Sequence, residues 1–419
     1  MYPRYSVESV REALSDTPVV FIMGPRQVGK TTLVRTLITE DKPDQWTYIT
    51  LDDQTQFDIA QSDPVGFIRN LPSAHIALDE IQRLPELFVS IKQSVDEQRT
   101  PGRFLLTGSA NALLLPRLSD SLAGRMESIH LTTLSECEIQ NSRPDFLVQL
   151  LNQKAPVTRT TRVREQLLER LVTGCFPEPL QRSHERRRQA WYQHYLNHLI
   201  QRDIRDLIHV DHPELMTRLL KITAFYVGKL VNLTELGNKL CLDRLTIKKY
   251  IALLEQLFLL KTLPAWHTNE YKRLVKTPKL HLVDTGIACS IRGLNQAKLQ
   301  KQTEEFGHLL ESFVYNELRK QALWIEEPLY FYHYRDKDKV EVDIIIENSV
   351  GDCFAIEVKA TATLGNKDFT SLKRLQNIIG DRLKIGVLLY DGDHTTAFGN
   401  RLYAVPIAAL WETTSSVPG

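Results

Sequence analysis

The apolar positions of this chain change period along its length, and each change marks a new kind of element. Short apolar runs at 19–23, 46–51, 75–78, 103–106 and 129–134 predict five strands. Segments at 29–39, 86–98 and 111–118 carry apolar residues at helical spacing and alternate with those runs. Strands alternating with helices predict a parallel sheet covered on both faces. From about 136 to 210 the pattern is helical, most clearly at 163–173 and 187–208. A third rhythm follows: helices at 215–227 and 233–240, a run from 243 leading into 251–260, and a strand pair at 257–263 and 279–283. Beyond 300, an amphipathic helix at 307–318 precedes strands at 330–334, 340–346 and 353–359. A helix at 368–379 and a strand at 385–390 then complete a small mixed sheet.

At 419 residues the chain is long enough for two to four domains. The pattern divides it at 1–135, 136–212, 213–290 and 291–419, and its class is α/β. Hydrophobic residues at 42% and charged residues at 25% are ordinary for a globular protein. A formal net charge of +1 excludes a global pull toward nucleic acid, so any such surface is local. Cys137, Cys175, Cys241, Cys289 and Cys353 form no close pair, which argues against a zinc site or a disulfide framework and for a reducing compartment. With no charged-then-apolar leader and no run of membrane-spanning length, the expected location is cytoplasmic, without a membrane partner.

The chemistry begins directly after the first strand. Gly24, Pro25, Arg26, Gln27, Val28, Gly29, Lys30 and Thr31 fit the phosphate-cradling pattern G-x-x-x-x-G-K-[ST], and Thr32 opens the helix behind it. The two glycines let backbone N–H groups turn inward toward an anion, and the helix start adds its positive dipole end. Lys30 is placed to reach β- and γ-phosphates, and the Thr31 hydroxyl to take one position on Mg²⁺. The third strand ends in Asp79-Glu80, an acidic pair at the end of a strand where ligands bind in open α/β sheets. Asp79 is the expected Mg²⁺ partner, directly or through water, and Glu80 the group that polarises the attacking water. Ser109, after the fourth strand, is either a γ-phosphate sensor or a helix N-cap. Arg125 is either an arginine finger on a neighbouring subunit's nucleotide or a surface salt-bridge partner.

The strings Gly24-Pro25-Arg26-Gln27-Val28-Gly29-Lys30-Thr31, Leu78-Asp79-Glu80-Ile81-Gln82, Leu106-Thr107-Gly108-Ser109-Ala110 and Leu122-Ala123-Gly124-Arg125 resemble an AAA-type P-loop ATPase. They look like a bacterial and archaeal branch whose members carry a C-terminal domain related to restriction-type nucleases. The resemblance implies ATP and Mg²⁺ as cofactors, with phosphate, metal and water-activating roles for Lys30, Thr31, Asp79 and Glu80. In that reading residues 136–212 are a helical lid, where Arg202, Asp203 and Arg205 are either inter-subunit contacts or a solvated helix face.

Residues 213–290 read as a winged helix-turn-helix. Arg244, Lys248 and Lys249 face outward from its second helix, and Lys272, Arg273, Lys276 and Lys279 crowd the wing. Clustered cations of this kind suit DNA phosphates, although winged helices also dock proteins. In residues 291–419, Glu357 and Lys359 lie two apart and so share a strand face, and Asp343 sits on the partner strand of the same hairpin. Asp343 and Glu357 offer hard oxygens to Mg²⁺ or Mn²⁺, Lys359 a cation for the nucleophile, and Glu311 a second metal or a metal-bound water. This stretch resembles the PD-(D/E)xK nuclease superfamily, with Val342 where the motif has proline. The other reading is a nuclease fold whose charges pair with one another.

The expectation for the whole chain is an ATP-driven, ring-forming homo-oligomer that engages DNA and carries a metal-dependent nuclease domain. Its alternative is a nucleotide-controlled switch or docking protein whose last domain binds without cutting.

Overall fold

The computed structural model describes residues 2–40, 43–109, 122–199 and 213–412. The helix expected at 111–118 and the residues Arg202, Asp203 and Arg205 lie outside them. Residues 3–133 with 256–258 form one compact unit, and 134–255 with 259–419 form the other.

The first unit is built on β1 (Val19–Met23), β2 (Trp46–Thr50), β3 (His75–Asp79), β4 (Phe104–Gly108) and β5 (Met126–His130), in the order β2-β3-β4-β1-β5. Every pairing is parallel; β1 runs in register with β4 from Val19↔Phe104 to Met23↔Gly108. All five residues of β1 and of β4 are buried, as befits strands covered on both faces. The apolar run after Arg125 misleads about the fifth strand, which lies at 126–130 rather than 129–134. It is a sheet edge with only Ile129 buried, so its polar positions hide it, while Leu131 N–H still extends the ladder to Met23 O at 2.8 Å. Two helices that apolar spacing does not reveal, Gln54–Ser62 and Pro64–Arg69, start at Asp53 and Asp63. Both aspartates cap backbone N–H groups, and Pro64 takes the first turn.

In the second unit the helices Arg164–Thr173, Glu185–His198, Pro213–Thr223, Leu233–Leu240 and Arg244–Gln256 match the helical stretches of the sequence. Asn232 caps the short helix Leu233–Leu240. A three-stranded antiparallel sheet follows, with β6 (Lys229–Leu230), β7 (Leu260–Leu263) and β8 (Lys279–Leu282) in the order β6-β8-β7. The last sheet holds β9 (Tyr330–Arg335), β10 (Glu341–Glu347), β11 (Cys353–Lys359), β12 (Leu383–Tyr390), β13 (Thr396–Ala397) and β14 (Leu402–Pro406). Their order is β13-β14-β12-β11-β10-β9. The β9-β10-β11 part is antiparallel and the β11-β12-β14 part is parallel, so the sheet is mixed. The helix Thr303–Ala322 is long and buried over most of its length.

The wing cations divide. Lys272 is exposed, but Arg273 is buried and grips Glu347 through two bonds of 3.0 Å, while Trp266 Nε1 donates to the same carboxylate at 2.5 Å. Lys279 is also buried. These two are therefore internal charges rather than part of a phosphate-facing surface, because a buried cation must be paired inside the protein.

Two histidines lie in this core. His281, two residues from Lys279 on β8, is buried with both ring nitrogens lacking a hydrogen-bond partner among the described residues, its ring 4.4 Å from that of Tyr315. Among the described residues the His333 ring is bonded through Nε2 to Thr277 O at 3.1 Å, and its Nδ1 has no partner. Burial, then the nearby Lys279, pushes His281 far below its usual range and His333 down to about 4. A histidine depressed in the folded state contributes stability that is present above its unfolded pKa and lost as pH falls through it. Between pH 7 and pH 5 each should cost about 2 kcal/mol. Urea midpoints measured across that range are expected to fall for the wild type and to fall less steeply for His281→Phe.

Candidate functional site

Because the first sheet is all parallel, the loops after β1, β3 and β4 leave it at one edge. The loop after β1 owes its shape to two glycines. A Cβ at Gly24 would lie 1.9 Å from Leu131 O, and Gly29 has φ +96°, which side-chain-bearing residues rarely adopt. Arg26 and Gln27 sit at the turn, Gln27 with φ +61°, and Val28 is fully buried beneath it. The helix Lys30–Glu40 starts at the loop's end, with Thr31 and Thr32 in its first turn. Lys30 is buried, and its ammonium donates to Gly24 O at 2.9 Å and Pro25 O at 2.8 Å, so the charge is held within the curve of the loop.

Asp79 ends β3 as a buried carboxylate surrounded by hydroxyls. Thr31 Oγ1 and Tyr48 Oη each donate to its Oδ2 at 2.8 Å, and Thr107 Oγ1 donates to its Oδ1. Burial, followed by the neighbouring Asp79, pushes the Tyr48 phenol up to about 12 and keeps it a donor. The Thr31 hydroxyl and Asp79 carboxylate are hard oxygens at one spot beside the loop, the donor set an Mg²⁺ ion prefers, so the residues fit that ion. Glu80 follows in the left-handed region, φ 59° and ψ 41°, a backbone that costs on the order of 1–3 kcal/mol and is concentrated at functional sites. Its N–H donates to Thr107 Oγ1 at 3.1 Å.

The Glu80 carboxylate accepts from Gln82 Nε2, and Ser109 Oγ approaches it at 3.4 Å. Gln82 also donates to Ser109 Oγ at 3.0 Å and accepts from Ser109 N at 3.3 Å. Ser109 thus lies beside Glu80 at the end of β4. Gln82 and Tyr48 belong to this site and sequence reasoning did not single them out. Gln82 stood in the quoted string after Glu80, whereas Tyr48 on β2 becomes visible only once β2 pairs with β3. Arg125 lies elsewhere: its Nε meets Asp96 Oδ1 at 2.5 Å and its NH1 donates to Ala123 O at 3.1 Å. Its guanidinium is held within its own unit.

A separate cluster occupies the second unit. Asp343 on β10 and Glu357 and Lys359 on β11 meet as the hairpin requires, with the N–H of Val358 donating to Asp343 Oδ2 at 2.9 Å. Glu311, from the helix Thr303–Ala322, joins them. So does Lys279 of β8, which had been expected on the wing surface. Its ammonium lies 2.7 Å from Glu311 Oε1, 2.6 Å from Glu341 Oε1 and 3.2 Å from Asp343 Oδ1. Burial alone would lower the Lys279 pKa, but Glu311, Asp343 and Glu341 outweigh it and raise it above the ordinary lysine value. Burial, then Asp343, raises Glu311 well above the carboxylate range and Glu357 to about 8. Lys359 Nζ sits 2.7 Å from Glu357 Oε1. Among the described residues no group of three or more His, Cys, Asp or Glu is disposed to hold a metal ion. As arranged, Glu311, Asp343 and Glu357 face ammonium groups, and they do not fit a divalent ion.

Comparison with known proteins agrees with the sheet. Residues 16–140 match the family model described as an AAA domain. With the five-stranded parallel order, this makes the first unit an AAA-type ATPase-like domain with a P-loop fold. Residues 164–298 and 306–410 match two domains of unknown function, DUF8612 and DUF4143. The chain is 29% identical over 415 residues to Mb2031c of Mycobacterium bovis and to Rv2008c of Mycobacterium tuberculosis, covering 98% of this chain and 85% of each relative. Among solved structures it aligns with AMPPCP-bound DnaA from Aquifex aeolicus at 16% identity and TM-score 0.28, over 64% of this chain and 89% of that one. A DNA polymerase III gamma-subunit-related protein from Thermotoga maritima aligns at 14% identity and TM-score 0.24, over 75% and 99%. No helix among the described residues is long and apolar enough to cross a membrane.

Gly24→Ala tests the loop directly. The clash with Leu131 O should lower stability by about 1–3 kcal/mol in urea denaturation and abolish binding of a fluorescent ATP analogue.

Proposed function

We propose that this chain binds ATP with Mg²⁺ and hydrolyses it, and that the nucleotide controls how it engages DNA. The observation that carries this reading is the 2.8 Å contact between Thr31 and Asp79 beside a glycine loop that already encloses Lys30. Thr31 and Asp79 are the residues that would hold the metal, and Lys30 exchanges loop carbonyls for β- and γ-phosphate oxygens. Mg²⁺, when bound, offsets the negative charge that the phosphates carry. Glu80 orients the attacking water and takes its proton, while Gln82 and Ser109 hold the Glu80 carboxylate. Arg125, paired with Asp96 within its own chain, is assigned no role in this proposal.

The DNA reading is supported by Arg244, Lys248 and Lys249, all exposed on the helix Arg244–Gln256, with Lys272 exposed nearby in sequence. In this proposal 136–212 is the lid, 213–290 the winged helix-turn-helix, and 291–419 a nuclease-like domain that binds without cutting. The assembly is a homo-oligomeric ring in the cytoplasm. A second reading, Mg²⁺- or Mn²⁺-dependent cleavage, is favoured by the meeting of Asp343, Glu357 and Lys359 on one hairpin.

Lys30→Ala is expected to lose ATP binding by tenfold or more. Glu80→Gln should keep binding but turn over about 100-fold more slowly, and Gln82→Leu about tenfold more slowly at unchanged affinity. Hydrolysis by Glu80→Gln at the wild-type rate would remove Glu80 from its role. For DNA, the double variant Lys248→Ala/Lys249→Ala should weaken binding equally across sequences and reduce the salt slope by about 2 in fluorescence anisotropy. Plasmid and single-stranded DNA should stay intact with Mg²⁺ or Mn²⁺. Cleavage that disappears in both Asp343→Ala and Lys359→Ala would establish the second reading instead.

A further inference from the structure

We infer that Lys279 is the built-in cation of the C-terminal carboxylate cluster, taking the place a divalent metal would occupy and tying the β6-β8-β7 sheet to the nuclease-like sheet. This rests on the reading of residues 291–419 as nuclease-like and supplies the reason that such a domain does not cut.

An ammonium has three N–H donors. Those of Lys279 have three carboxylates within reach, one each from Glu311, Glu341 and Asp343, at 2.6–3.2 Å. Two further oxygens are committed as well: Asp343 Oδ2 to the N–H of Val358 and Glu357 Oε1 to Lys359. Within this cluster, Glu357 Oε2 is buried without a hydrogen-bond partner among the described residues. A magnesium or manganese ion needs about six oxygens at roughly 2.0–2.2 Å, with carboxylates turned toward it rather than toward an amine. Lys279 is also held from behind. Its side chain is 2% exposed, and its backbone is paired on both sides, with Leu263 of β7 and Leu230 of β6. For the ammonium to leave, the strand would have to separate from its sheet or bury a cation without counter-charge, and both are costly. The three carboxylates come from the helix Thr303–Ala322 and from β10, so a single side chain joins three elements that the sequence keeps apart.

The test is Mn²⁺ binding to the full chain, followed by electron paramagnetic resonance and calorimetry without nucleotide or DNA. Asp79→Asn is present throughout to silence the first-unit site. That chain should take up no Mn²⁺ up to millimolar concentration. Adding Lys279→Met should create one site per chain, and further adding Asp343→Asn should remove it. The thermal midpoint of the Lys279→Met chain should fall by several degrees and recover in part with Mn²⁺. Lys279→Arg, which keeps the positive charge, should stay metal-free. Stoichiometric uptake by the Asp79→Asn chain that is lost with Asp343→Asn would overturn the inference, and so would a folded Lys279→Met chain that takes up none. Should Lys279→Met not fold, the Asp79→Asn and Lys279→Arg titrations decide alone. No nucleic acid is present, so failure here is distinct from failure of the non-cleaving reading, which the plasmid assay decides.

Discussion

The carboxylate of Asp79 is where the first unit converges, because its donors come from three different strand-and-loop segments. Thr31 arrives from the loop after β1, Tyr48 from β2 and Thr107 from β4, while Asp79 itself ends β3. A sheet whose strands all point the same way brings those ends to one edge, and the order β2-β3-β4-β1-β5 sets β3 between β2 and β4. A buried carboxylate is expensive unless its lone pairs are occupied, and three hydroxyls occupy these. Each of these three donors carries no charge of its own, so none of them neutralises the carboxylate. That is what a site for Mg²⁺ and a polyphosphate requires, since the residual charge is then available to the cation.

Several buried charges of the second unit are treated in the opposite way. Lys279 faces three carboxylates, Arg273 forks onto Glu347, and Lys320 sits 2.9 Å from Glu317, whose other oxygen accepts the N–H of Glu136. Each charge is closed by an opposite charge, which suits a structural junction and leaves little for a ligand. Removing one member of such a pair strands the other without solvent, so these contacts are strong constraints on architecture even where their net contribution to stability is small. Two clusters built around buried carboxylates therefore read differently: one has neutral donors around an anion, the other has resident cations.

Much of the fold was legible because period is a local property. The fully buried strands β1 and β4, the helix Leu233–Leu240 and the β10–β11 hairpin follow from spacing alone. The helices Gln54–Ser62 and Pro64–Arg69 carry their signal in Asp53, Asp63 and Pro64 rather than in apolar spacing. β5 was displaced because an edge strand buries little and has no need of an apolar run. Within the candidate sites, Lys30, Thr31, Asp79 and Glu80 were legible because the loop and strand-end chemistry sits in short contiguous strings. Gln82 was present in one of those strings without a role. Tyr48 and Lys279 were not legible, since their partners lie 31 residues away or more.

By itself the sequence determined the phosphate loop, the acidic strand end and the hairpin that sets Asp343 opposite Glu357, because each depends on residues near one another along the chain. Which cation each acidic group faces was decided by the tertiary structure. Lys279 and Lys272 are equivalent as letters in a basic stretch, yet one is exposed on a short helix and the other is buried among three carboxylates. The difference is burial, which turns a solvated point charge into a partner that must be matched, and burial exists only after the chain has folded.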